Sequence, residues 1–109
     1  MTIDDYQQAA LRTAAPRTKK NELFHLVLGL AGESGEIAEK IKKVVWHHNS
    51  DESKIDRDDL AKELGDLLWY ITVMADYFDL SLEKIAAGNI AKLASREQRG
   101  VLRGNGDNR

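Results

Sequence analysis

The chain has 109 residues, of which 42% are hydrophobic and 31% are charged, and this composition suits a single globular domain. Its net charge of −2 argues against a general nucleic-acid surface, which would need clustered basic residues. The absence of cysteine excludes disulfides and thiolate metal sites. No apolar run is long enough to span a membrane, and the N-terminal MTIDDYQQ lacks the regions of a signal peptide. We therefore expect a cytoplasmic protein that binds neither nucleic acid nor membranes.

Helical periodicity dominates the chain and predicts an all-α fold. The first helix is expected over residues 3–14, with Thr2 as its cap. A polar stretch that contains the only proline, Pro16, separates it from the second helix, which is expected over residues 22–46. The loop HHNSDESK follows.

The second half of the chain predicts two more helices. Asp56 is placed to cap a third helix that ends near residue 78, and Ser81 to cap a fourth that ends near residue 98. Gly100 terminates the fourth helix. We assign residues 1–99 to one domain and residues 100–109 to a glycine-rich C-terminal tail.

Two short acidic motifs stand out, with Glu33 and Glu36 in GESGE and with Glu63 and Asp66 in ELGD. The two carboxylates of each motif are three residues apart, so on a helix they share one face and must either repel each other or share a cation. An ordinary solvated face is the alternative, because 18 of the residues are acidic. The occurrence of two such motifs favours a metal site.

The ligand chemistry favours Mg²⁺, with Mn²⁺ as a substitute. Carboxylate oxygens suit these hard ions, whereas zinc sites usually include histidine or cysteine. A di-iron bundle would need a histidine three residues after a glutamate, and neither motif supplies one. His47 and His48 are expected in a surface loop and not among the ligands.

Glycines recur beside the first motif at Gly29, Gly32 and Gly35. Each costs about 0.8–1 kcal/mol relative to alanine in a helix. A helix that forms despite them is expected to be approached closely by another backbone or by a ligand. Gly65, inside the second motif, is their counterpart.

Helical geometry places the four carboxylates at the border of the core. The apolar arc of the second helix consists of Leu23, Leu26, Val27, Leu30, Ile37, Ile41 and Val44. That of the third consists of Leu60, Leu64, Leu67, Leu68, Ile71, Met74 and Phe78. The two acidic edges are therefore predicted to face each other across a groove, whereas Glu39 lies farther out, toward solvent.

The fourth helix carries a polar residue, Asn89, in the middle of its apolar arc. A buried amide without a partner costs about 1–3 kcal/mol, so Asn89 is expected either to bind the acidic cluster, its water or a ligand, or to cap another helix as a structural amide. Lys92 and Arg96 flank the same arc and are candidates to bind phosphate oxygens.

The runs GLAGESGEIAEKIKK, KELGDLLWYI and NIAKL resemble those of MazG-type nucleoside triphosphate pyrophosphohydrolases, over about residues 21–96. The resemblance implies a four-helix bundle-like MazG fold and Mg²⁺-dependent cleavage of (deoxy)nucleoside triphosphates between the α- and β-phosphates. Its metal ligands would be Glu33, Glu36, Glu63 and Asp66.

Gly32 stands where many family members have a second glutamate, so the chain resembles the small, single-domain GExxE members. The missing glutamate affects how the attacking water is held. Glu36 is the candidate residue to orient that water. Tyr70, one turn beyond Asp66 on the same edge, is a candidate to hydrogen-bond to the substrate, and His25 is a candidate to lie beside its sugar or base. Both have ordinary packing roles as alternatives.

The resemblance further implies a homodimer that completes the helical core, with pairing of dimers as a further possibility. Trp69 lies opposite the predicted core stripe of the third helix, so we expect it to be exposed, either against a second copy or stacked on a base. Two other functions stay open, a base-specific diphosphatase for dUTP or dCTP and a non-catalytic helical interaction module.

Overall fold

A computed structural model describes all 109 residues and shows an all-α chain without strands. Helix α1 spans Ile3–Leu11, α2 spans Glu22–His48, α3 spans Arg57–Tyr77 and α4 spans Leu82–Gln98. A single 3-10 turn, Glu52–Lys54, lies between α2 and α3. The predicted fold class and the number of helices are confirmed. No helix has the length and apolarity needed to cross a membrane.

The predicted helix caps form as expected. Thr2 and Asp5 make a reciprocal capping box at the start of α1. The side chain of Asp56 accepts a hydrogen bond at 3.0 Å from the third backbone N–H of α3, and Ser81 does the same for α4 at 3.3 Å. Gly100 follows α4 with a φ of +73°, which glycine adopts without strain.

Two helix ends differ from the prediction. α1 ends at Leu11 and not at residue 14. Just after this end, the Thr13 hydroxyl donates a hydrogen bond to the Ala10 carbonyl, and Pro16 follows three residues later. α2 continues to His48, two residues beyond the predicted end, and Asn49 caps it with a φ of +53°. His47 and His48 therefore lie in the last helical turn, exposed to solvent, and not in a loop.

The main helix pair is α2 against α3. α1 lies across α3 and α4, and α4 packs only sparsely on α3. Gln7 of α1 fixes the start of α4, because its side chain donates to the Leu80 carbonyl at 3.1 Å and accepts from the Leu82 N–H at 3.0 Å.

Trp69 contradicts the expectation of an exposed indole. Its Nε1 donates to the Thr13 hydroxyl at 2.9 Å and to the Ala10 carbonyl at 3.3 Å, so α1 covers this side of α3. Thr72, Val73 and Ala75 are also buried on α3. Trp69 is therefore half-buried against α1 and not exposed as expected.

The predicted core stripe of α3 is largely exposed in the single chain. Leu64 is 51% exposed and Phe78 is 54% exposed, and the other large exposed residues of α3 and α4 are Leu68, Ile71, Ile85, Ile90 and Leu93. Only 9 of the 109 residues are buried. The radius of gyration is 17.1 Å, against about 13 Å for a compact chain of this length. The helices thus leave a broad apolar surface uncovered.

Candidate active site

The acidic cluster lies where the middle of α2 faces the first half of α3. Glu33 and Glu36 reach it from α2 and Glu63 from α3, and one carboxylate oxygen of each lies within 4.8 Å of the others. The first predicted pair therefore faces one member of the second, Glu63. Asp66, one turn beyond Glu63, is exposed and stands outside this group of three.

The environment of Glu33 raises the pKa of its carboxyl above the usual value. Burial is the largest cause, followed by the close approach of Glu63 and by the charges of Glu36 and Asp66. The effect of Asp66 shows that it adds to the negative field at the site. Such an arrangement is unfavourable for the charged carboxylates unless a cation joins them.

Two carboxylate oxygens at the site are buried and have no hydrogen-bond partner, Oε2 of Glu33 and Oε2 of Glu63. An unpaired buried carboxylate oxygen is costly, and a bound divalent cation would satisfy it. The donor set consists of hard oxygens from three or four carboxylates, which suits Mg²⁺ or Mn²⁺. The residues present thus fit such an ion.

Lys40 lies at the edge of the cluster and was not predicted. Its Nζ forms an ion pair with Asp59 and lies 3.4 Å from Oε1 of Glu63. The hydrogen bond to Asp59, followed by the charges around it, raises the pKa of Lys40. The sequence did contain the signal, because Lys40 is seven residues after Glu33 and so returns to the same side of α2. The protein itself supplies one cation to this site.

Gly29 is the one glycine of the predicted stripe that another group approaches closely. A Cβ at this position would overlap the ring of Tyr70, which packs directly over the α2 backbone. Gly32, Gly35 and Gly65 face open space. Tyr70 therefore depends on Gly29 for its position beside the acidic cluster.

Tyr70 and His25 lie farther along the same side of the α2–α3 pair, toward the beginning of α2. The two rings meet edge to face, with centroids 6.2 Å apart. The rings of Trp69 and Tyr70 also meet edge to face, with centroids 5.0 Å apart. His25 Nδ1 lies 3.2 Å from Oε1 of Glu22. The imidazole is more than half exposed, so one face remains open to a ligand.

The three predicted binding residues of α4 do not contact the acidic cluster within one chain. Asn89 is exposed and makes no side-chain hydrogen bond, contrary to the expectation of a buried amide, because α4 barely packs on α3. Lys92 and Arg96 instead bind Asp107 of the C-terminal tail, with Oδ1 distances of 2.7 and 3.0 Å. Arg96 also donates to the Asp107 carbonyl and is buried.

The tail itself folds back on the end of α4. The guanidinium of Arg109 donates to the carbonyls of Val101, Leu102 and Gly106 at 2.6 to 3.0 Å. Arg99 donates in turn to the Arg109 carbonyl at 2.8 Å. These contacts place Asp107 against the two basic side chains of α4.

Comparison with known proteins shows which family the chain is similar to. The family profile described as the MazG nucleotide pyrophosphohydrolase domain matches residues 22–101. The chain is 40% identical to the Gene 37 protein of Mycobacterium phage L5 over 114 aligned positions, which cover the whole of both chains. No solved structure matches significantly.

Proposed function

Because the chain belongs to the MazG nucleotide pyrophosphohydrolase family, we propose that it hydrolyses (deoxy)nucleoside triphosphates between the α- and β-phosphates, with Mg²⁺ as cofactor. The products are a nucleoside monophosphate and pyrophosphate. The observation that carries this proposal is the convergence of Glu33, Glu36 and Glu63 on one point, with two buried carboxylate oxygens unpaired.

The charges at the site explain the need for a divalent cation. A nucleoside triphosphate is strongly anionic, and an acidic cluster repels it unless bound cations reverse the local field. We assign Glu33, Glu36, Glu63 and Asp66 as the ligands. A bound Mg²⁺ supplies polarisation of the α-phosphoryl group and neutralisation of the leaving pyrophosphate.

Glu36 is the carboxylate that we assign to the attacking water. It belongs to the cluster but is exposed, unlike its neighbours Glu33 and Glu63, so water reaches it from the open side. A carboxylate there accepts a hydrogen bond from the water and orients the oxygen toward phosphorus. We assign Tyr70, held over Gly29, to donate a hydrogen bond from its hydroxyl group to the substrate.

Lys92 and Arg96 are proposed to bind the outer phosphates, with Asn89 nearby on the same helix. The two basic residues already hold a carboxylate, that of Asp107, which supports their capacity to bind an anion. Phosphate binding requires the substrate to replace Asp107. Because α4 lies apart from the acidic cluster in one chain, this role also depends on assembly.

We propose a homodimer as the active form, with dimers able to pair further. The exposed apolar surfaces of α3 and α4 and the large radius of gyration support a second copy that completes the bundle. A second copy would also cover Asn89 and bring α4 side chains against a neighbouring helix pair.

Substitution of Glu63 by glutamine tests the proposed function. Purified protein is incubated with each common NTP and dNTP, with and without Mg²⁺ or Mn²⁺, and the products are separated by chromatography. The wild-type protein is expected to release monophosphate and pyrophosphate only with the metal. Glu63→Gln is expected to lower kcat/KM at least about a hundredfold, since a metal ligand is lost.

Glu39→Gln is the matched control, because Glu39 lies on α2, one of the two helices that carry the site, but pairs with Lys42 in solvent. It should leave turnover unchanged. Release of orthophosphate would show cleavage of a different bond. Absence of turnover of every nucleotide, with or without metal, would instead support an interaction module. A sharp preference for dUTP or dCTP would support a base-specific diphosphatase.

A further inference from the structure

A cavity of about 280 Å³ lies between the connection from α1 to α2, the beginning of α2 and the end of α3. Its walls are mainly apolar and include Pro16, Leu26, Val73 and Tyr77. A concave, largely apolar pocket with a few fixed polar groups is the usual form of a small-molecule site. None of the residues assigned to the metal or the phosphates lines it.

Glu22 is one of three charged residues in the wall of this cavity, together with Arg17 and Asp76. Its side chain is only 4% exposed, although it carries a carboxylate. Oε1 contacts His25, but Oε2 is buried and has no hydrogen-bond partner. A buried carboxylate oxygen is rarely left unpaired, so this atom marks a place for a hydrogen-bond donor from outside the chain.

The basic residue of the cavity does not neutralise Glu22. Arg17 binds Asp76 at 3.2 Å and Asp79 at 2.6 Å, which commits its guanidinium to two carboxylates at the end of α3. The cavity therefore offers an acceptor without a matching internal donor. Its ligand should be a flat, apolar ring that carries N–H groups at one edge.

The cavity and the acidic cluster lie at two ends of one seam. Glu22 and Glu33 are eleven residues apart, which is three helical turns, so they share the same side of α2 and lie about 16 Å apart along its axis. Tyr70 packs over Gly29 between them. This length is on the scale of an extended nucleotide whose phosphates lie at the carboxylates.

We propose that the cavity binds the nucleotide base and that Glu22 selects bases with an amino group, guanine above all. This inference rests on the proposed hydrolysis of nucleoside triphosphates. Guanine presents a ring N–H and an amino group side by side, so one carboxylate accepts both. Cytosine and adenine offer only the amino group. Uracil and thymine flank their single N–H with two carbonyl oxygens, which the carboxylate repels.

Substitution of Glu22 by glutamine tests this selection by steady-state kinetics on GTP, CTP, ATP and UTP. The wild-type protein should prefer GTP to UTP in kcat/KM by at least about tenfold, because two charge-assisted hydrogen bonds distinguish them. Glu22→Gln should bring that ratio close to one, through a higher KM for GTP and a lower KM for UTP, whose carbonyl oxygens are no longer repelled. Glu39→Gln should keep the wild-type ratio. An unchanged ratio in Glu22→Gln overturns the proposal.

Binding of guanosine and uridine without phosphates or metal separates this inference from the hydrolytic function. Calorimetric titration should detect guanosine more tightly than uridine in the wild-type protein, and the difference should vanish in Glu22→Gln. If no triphosphate is hydrolysed but guanosine binds in this Glu22-dependent way, the hydrolytic function fails and the base site stands. Equal or absent binding of the two nucleosides to wild-type protein overturns the base site.

A second variant keeps the test valid if Glu22→Gln does not fold. Ala15 lines the cavity from the connecting segment, so Ala15→Leu is expected to fill part of its volume while Glu22 keeps its carboxylate. We expect it to weaken guanosine binding at least about tenfold while circular dichroism shows the same helix content. Unchanged guanosine affinity in this variant contradicts binding in the cavity.

Discussion

The raised pKa of Glu33 links the stability of the fold to pH. Burial is the main cause and the neighbouring carboxylates add to it, so the folded protein holds this proton more tightly than the unfolded chain does. The resulting stabilisation is fully present below the ordinary glutamate pKa of 4.5 and is lost as pH rises through the raised pKa. Near neutral pH the metal-free protein therefore carries a destabilising charge at this position.

Replacement of Glu33 by glutamine, which mimics the protonated carboxyl, should remove this pH dependence. Without divalent cations, Glu33→Gln should melt a few degrees above the wild-type protein at pH 7 and at the same temperature near pH 4, as measured by calorimetry. Addition of Mg²⁺ should raise the wild-type Tm more than that of the variant. Glu39→Gln is the control, because Lys42 lowers the pKa of Glu39 and glutamine gains nothing there at pH 7. A Tm difference that is independent of pH would contradict the assignment.

At the scale of the helix, the contact between Gly29 and Tyr70 fixes how closely α2 and α3 approach beside the site. Alanine at position 29 gains about 0.8–1 kcal/mol of helix propensity but forces Tyr70 out of place, an overpacking cost of about 1–3 kcal/mol. Gly29→Ala should therefore lower the free energy of unfolding in urea. Gly88→Ala on α4 meets no atom within 4 Å and should raise it by up to about 1 kcal/mol. Equal gains in both variants would show that Tyr70 moves away freely.

The same helices show how far the sequence predicts the fold and the site. Carboxylates three residues apart share a helix face wherever the helix packs, so the pairing of Glu33 with Glu36 followed from local geometry. The meeting with Glu63 followed from the predicted core borders of α2 and α3. The three glycines span more than one face, because Gly35 lies about 120° around the axis from Gly29, and only Gly29 of the three is met by a residue of α3. The pattern also identified the apolar side of α3 without showing what covers it. That α1 covers Trp69 depends on long-range packing.

At the scale of the whole molecule, the uncovered apolar surface predicts that the protein assembles. Ile90 is 69% exposed on α4, so in a monomer its replacement by lysine would cost little. If a second copy covers this surface, a buried lysine would oppose association, since an unpaired charge is costly to bury. We expect sedimentation to give twice the chain mass of 12.2 kDa for the wild-type protein, and a monomer with a lower Tm for Ile90→Lys.

The control is Ala91→Lys, which lies about 100° around the helix, on its polar side, and should remain a dimer. A compact wild-type monomer, or a dimer that Ile90→Lys leaves intact, would remove this face of α4 from the interface and require the open arrangement of the helices to close within one chain.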